Sequence, residues 1–127
     1  MMTRKPTTDP EAVFKQLESA FAPCDVVVMR HHPGMIEGFM ADSAESFRQG
    51  ARGAAHDMGL VARPWGFDPA GIRTPVYLWQ GEEDQNAPPA AGRYLAQTIP
   101  ACRAVFCPGE GHMLYLNHWR EILAVLN

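Results

Sequence analysis

The chain has no excess of basic charge, no long apolar run and no paired-cysteine motif. Lys and Arg number 11 against 14 Asp and Glu, a formal charge of −3, which has the wrong sign for binding a phosphate backbone. No nucleic-acid partner is expected. No apolar stretch approaches the roughly 20 residues of a membrane span, so no membrane partner is expected either. The cysteines, Cys24, Cys102 and Cys107, include no Cys-x-x-Cys pair. On one strand Cys102 and Cys107 would stand roughly 16 Å apart on opposite faces, beyond disulfide reach. The start, Met1–Pro10, is basic and polar and lacks an apolar leader core. Reduced thiols in the cytoplasm are therefore the expectation. His31, His32, His56 and His118 show no ligand spacing such as i, i+4 with a nearby carboxylate. They read as structural or solvated, and neither a metal nor a cofactor is expected.

What is present is the material of one domain at most: 127 residues, 46% of them hydrophobic, enough to build a packed core. Thr8 to Phe21 reads as a helix. Thr8 and Glu11 have capping-box spacing, Asp9 can cap, Pro10 suits the first turn, and Val13, Phe14, Leu17 and Phe21 form an apolar stripe that Pro23 ends. The run Asp25-Val26-Val27-Val28-Met29-Arg30 fits a short strand or a buried helical turn, and periodicity does not decide between them. A second helix is expected to open near Asp42 and to carry Phe47, Ala51, Ala54, Ala55 and Met58 on one face. Arg48, Arg52 and Arg63 read as its wet face and exit.

The second half is more regular. After the loop Pro64-Trp65-Gly66-Phe67-Asp68-Pro69-Ala70-Gly71, the segment Pro75-Val76-Tyr77-Leu78-Trp79-Gln80 is a nearly continuous apolar run, the pattern of a strand covered on both faces in a parallel sheet. A helix from Pro88 to Thr98 follows, marked by Ala91, Tyr94 and Leu95, then a strand Arg103–Cys107. A last helix from about Asn117 carries Trp119, Ile122, Leu123 and Leu126. In a parallel sheet the working residues collect on loops beyond the carboxyl ends of the strands. Two such loops exist: Gly-Glu-Glu-Asp, ending at Asp84, and Gly-Glu-Gly-His, ending at His112. A right-handed crossover brings both to one rim. Glu82, Glu83 and Glu110 beside them read as solvated loop carboxylates.

The order of these pieces resembles the C-terminal half of the α/β-hydrolase family: the strand Pro-Val-Tyr-Leu-Trp-Gln, the Gly-Glu-Glu-Asp loop, the helix Pro-Pro-Ala-Ala-Gly-Arg-Tyr-Leu, the Ile-Pro-Ala-Cys hinge and the Pro-Gly-Glu-Gly-His turn. The likeness runs from about Pro64 to Leu126. It implies an α/β fold in which residues 64–127 form the end of the sheet, two parallel strands with crossover helices, and residues 1–63 form a cap-like helical segment. It also implies that Asp84 is the triad acid and His112 the triad base, in the family's chain order. A base that takes a proton from a hydroxyl needs its other ring nitrogen held in one tautomer, which a carboxylate does.

The family's nucleophile is not in this sequence. Ser19, Ser43 and Ser46 are the serines, none of them in a Gly-x-Ser-x-Gly elbow, and the cysteines lack that setting too. An eight-stranded sheet at roughly 30 residues per strand and helix needs on the order of 240 residues. The expectation is thus a partial serine hydrolase for ester or amide-type carbonyl substrates, whose serine and oxyanion hole lie upstream of this chain. Phe39, Met40, Trp65 and Phe67 are candidates to line its substrate pocket, although large apolar residues more commonly form core. The alternative is a noncatalytic truncated product that acts as a binding or oligomerising module. Self-association is expected in either case, because the missing strands would leave a sheet edge bare.

Overall fold

The structure, a computed structural model, describes residues 9–125. Its elements are mixed: helices α1 (Pro10–Leu17), α2 (Pro23–His31), α3 (Met35–Ser46) and α4 (Arg52–Val61), strand β1 (Val76–Gly81), helix α5 (Pro89–Thr98), strand β2 (Cys102–Cys107) and helix α6 (Tyr115–Ala124). Short 3₁₀ turns at Glu18–Ala20, Pro69–Gly71 and His112–Leu114 link them. Among the described residues no helix is long and apolar enough to cross a membrane.

The β1, α5, β2 unit follows the expected order, and the strands pair in parallel from Val76 with Cys102 to Gly81 with Cys107. Parallel pairing requires a crossover, and α5 supplies it. Both strands consequently end at the same rim. The expectation of two covered faces does not hold for β1, since Tyr77 in β1 and Val105 in β2 are both exposed. With two strands and one crossover helix there is too little chain to cover both faces; Tyr77 instead stacks against Trp79 and lies under the Arg103 guanidinium.

The N-terminal helices correct the sequence reading in three places. Asp9 does cap α1, its carboxylate accepting the Glu11 N–H at 3.1 Å, but the helix stops at Leu17. Thr8, the other capping candidate, lies outside the described residues. Pro23 occupies the first turn of α2 rather than merely ending α1, so the valine run is helical. The helix expected near Asp42 begins earlier, at Met35, directly after Gly34 at φ +78, and Gly50 at φ +88 separates it from α4. Positive φ is cheap only for glycine, so Gly34 sets the start of α3 and Gly50 breaks what reads as one stripe from Phe47 to Met58. Phe47 and Met58, expected on its inner face, are exposed, and no residue of α4 is buried. At the other end α6 begins at Tyr115 rather than Asn117; Trp119 and Leu123 are exposed, and Leu126 lies outside the described residues.

The core is centred on the helices. Phe14, Met29 and Ile36, from α1, α2 and α3, pack with Met113, which follows His112 in the 3₁₀ turn. Phe21, Val26, Val28, Met35, Phe39, Met40 and Leu116 close around them. This cluster draws residues from both 1–63 and 64–127. Outside it, Arg30 of α2 pairs with Glu11 and Glu18 and lies over the Phe14 ring, tying α2 to α1.

Candidate functional site

The rim where β1 and β2 end is built by close backbone approach. A Cβ on Gly81 would collide with the carbonyls of Gly111 and Glu110, so glycine lets the two loops touch. The Glu83 N–H donates to the Glu110 carbonyl at 2.9 Å, and the Glu82 N–H to the Cys107 carbonyl at 3.0 Å. Each loop is then braced by a buried side chain.

Gln80, 7% exposed, braces the acid loop by donating to the carbonyls of Gly81 at 2.9 Å and Ala87 at 3.0 Å. Its amide fits against Gly92 in the middle of α5, where a Cβ would come within 2.6 Å of Gln80 Oε1. Asp25 braces the histidine loop. At 2% exposure its carboxylate accepts the His112 N–H at 3.1 Å and the Met113 N–H at 2.8 Å. A side chain on Gly111 would run into that same carboxylate.

Between these braces Asp84 and His112 meet. Asp84, also 7% exposed, accepts the N–H groups of Asn86 and Ala87 on Oδ1, both at 2.8 Å, which leaves Oδ2 facing His112 Nδ1 at 3.0 Å. Burial alone would push the Asp84 carboxyl upward, but the Ala87 amide, the His112 ring and the Asn86 amide together hold it below the usual carboxylate range. An ionised Asp84 accepts from Nδ1–H, so the neutral imidazole carries its lone pair on Nε2. Nε2 has no hydrogen-bond partner among the described residues, and the ring is 45% exposed. The arrangement can take up a proton at Nε2 and stabilise the resulting imidazolium through Oδ2.

A cavity of about 320 Å³ adjoins the pair, lined by Trp79 and Gln80 of β1, Leu114, and Tyr115 and Ile122 of α6. The proposed pocket residues are elsewhere. Phe39 and Met40 pack against the helical core, and Trp65 and Phe67, rings stacked at 5.7 Å, line a separate groove of about 440 Å³ with Tyr94 and Leu95. None of the four lines the cavity beside His112.

A second polar cluster lies at the other end of the histidine loop. His118 Nε2 is 3.0 Å from both carboxylate oxygens of Glu110, and its Nδ1 is 3.2 Å from Glu121. The Glu110 contact, opposed by partial burial and helped by Glu121, raises the His118 pKa above its ordinary value. The Cys107 thiol is close by, pushed up by burial and by the surrounding carboxylates. Together Cys107, Glu110 and His118 are the residues whose donor atoms stand close enough to hold a metal ion among the described residues.

Sequence reasoning found Asp84 and His112 but missed Asp25, Gln80 and the Cys107 cluster. Asp25 lies 87 residues before the amide it caps, and no local pattern links them. Gln80 had a readable signal: a lone amide closing an apolar strand, with a glycine in the middle of the next helix. No model of a known protein family matches the chain, and no curated protein matches it.

Proposed function

We propose that this chain supplies the acid and base of a serine-hydrolase triad of the α/β-hydrolase type, acting on ester or amide-type carbonyl compounds, with the nucleophile contributed by residues outside this sequence. The observation that carries this reading is the pairing of a buried, doubly capped Asp84 with Nδ1 of a half-exposed His112. In this mechanism His112 Nε2 takes the proton of the attacking hydroxyl, and Asp84 holds the tautomer and stabilises the imidazolium without itself becoming protonated. The same Nε2 then returns the proton to the leaving group. The depressed Asp84 pKa keeps the carboxylate ionised throughout. No oxyanion hole is assigned within the chain.

The test is recovery of the tagged chain from its native source followed by labelling with a fluorophosphonate probe. A co-purifying serine polypeptide is expected to label, and His112→Ala is expected to abolish labelling while leaving co-purification intact. Labelling that is indifferent to His112, or no labelled partner, refutes the reading. Labelling of a serine within this chain would refute it as well.

A second reading has its own support. The described sheet contains two strands, so each has an unpaired edge, and Tyr77, Val105, Trp65, Phe67 and Trp119 are exposed. Unpaired edges next to exposed apolar side chains recruit other chains. That arrangement favours a noncatalytic module that self-associates.

A further inference from the structure

We propose that Cys107, Glu110 and His118 form a binding site for a single zinc-type divalent cation, with an open fourth position for water or a ligand. The three donor atoms lie within 4.8 Å of one another. They come from three differently constrained pieces of chain: Cys107 from the last residue of β2, Glu110 from the turn that Gly109 makes at φ +73, and His118 from the second turn of α6.

The donor set is chemically particular. One thiolate, one imidazole and one carboxylate form the mixed sulfur, nitrogen and oxygen set that a borderline-soft, tetrahedral cation accepts, whereas magnesium and calcium favour oxygen alone. Thiolate and carboxylate together supply two negative charges, matching a divalent ion. Cys107 is buried, while Glu110 and His118 are about one quarter exposed, so the site is walled on the sulfur side and open to an entering ion on the other.

Histidine orientation gives an independent argument. A metal-bound histidine almost always donates its remaining ring N–H to a carboxylate, carbonyl or water, which sets the tautomer and strengthens the ligating nitrogen. Glu121 already stands 3.2 Å from His118 Nδ1, leaving Nε2 turned toward Glu110. As the ion binds, the Cys107 S–H bond breaks, its proton passes to water, and a sulfur to metal bond forms; no electron is transferred. When His118 is protonated, its Nε2 proton likewise passes to solvent. Without metal, His118 Nε2 and the Glu110 carboxylate stand in hydrogen-bond contact at 3.0 Å, which keeps both groups at the site.

Cobalt(II) and zinc(II) titrations of the purified full chain test this. Cobalt is expected to bind one equivalent with a thiolate charge-transfer band and tetrahedral ligand-field bands, and zinc to displace it. Cys107→Ser should remove the charge-transfer band, and His118→Gln should weaken binding by more than the roughly 10- to 100-fold that loss of an outer carboxylate costs. Glu121→Ala should fall within that range. Cys24→Ser should change nothing. A cobalt spectrum without the thiolate band overturns the proposal, as does affinity unchanged in His118→Gln. Should the buried Cys107→Ser variant fail to fold, the His118→Gln titration, on a side chain accessible to solvent, decides alone.

Discussion

Removing the Asp25 carboxylate tests the architecture of the histidine loop directly. At 2% exposure it accepts two backbone amides, His112 at 3.1 Å and Met113 at 2.8 Å. Asp25→Ala leaves both amides without a partner, at about 1–3 kcal/mol each, or about 2–6 kcal/mol together. Against a domain stability of about 5–15 kcal/mol this is a large fraction. At about 4 °C per kcal/mol for a chain of this size, Tm falls by about 8–24 °C. Asp25→Asn keeps one acceptor oxygen and sets its NH₂ against the second amide, so it loses about half as much. Urea denaturation measures both, and amide hydrogen exchange locates the effect, with protection lost at His112 and Met113 before Leu78 or Ala104 in the strand ladder. An Asp25→Ala chain within about 0.5 kcal/mol of the parent, with those two amides still protected, refutes the reasoning.

Three further outcomes follow from the same geometry. Because the folded Asp84 pKa is depressed, its contribution to stability is present above the ordinary carboxylate pKa and lost as pH falls through the folded value. Asp84→Asn should cost about 1–3 kcal/mol near neutrality and flatten the acid limb of stability against pH; an unaltered acid limb excludes the pairing as its source. Gly81→Ala places a Cβ against two backbone carbonyls, whereas Gly92→Ala meets only the Gln80 side chain and gains helix propensity, so the first should lose about 2–3 kcal/mol and the second about 1 kcal/mol or less. Equal losses in denaturant titrations would show that the loops do not touch at Gly81. Finally, the exposed Tyr77 and Val105 and the unpaired strand edges predict concentration-dependent association. Sedimentation velocity showing a stable monomer over a wide concentration range would refute it.

The parts of this protein legible in its sequence are those whose signals are local. Val76–Gly81 and Cys102–Cys107 are apolar runs bounded by proline and glycine, the helix between them has prolines at its start, and 28 residues from Asp84 to His112 are what one crossover consumes. Strand continuity and a parallel connection therefore place Asp84 and His112 on one rim. Tertiary structure decided what local pattern left open. Three successive valines suit strand and helix alike, and α2 is helical because that puts Met29 against Phe14 and Ile36 while aiming Asp25 at the amides of His112 and Met113. The α3 stripe of Met35, Ile36, Phe39 and Met40 likewise shows its worth only against that cluster, and Phe47 and Met58 stay exposed because no described element packs over them. Cys107, Glu110 and His118 have no recognisable ligand spacing; their meeting depends on where the Gly109 turn and the axis of α6 fall. Burial and side-chain convergence depend on partners distant in the chain, which is why local pattern reached the elements and the meeting of Asp84 with His112 but not the residues that hold them.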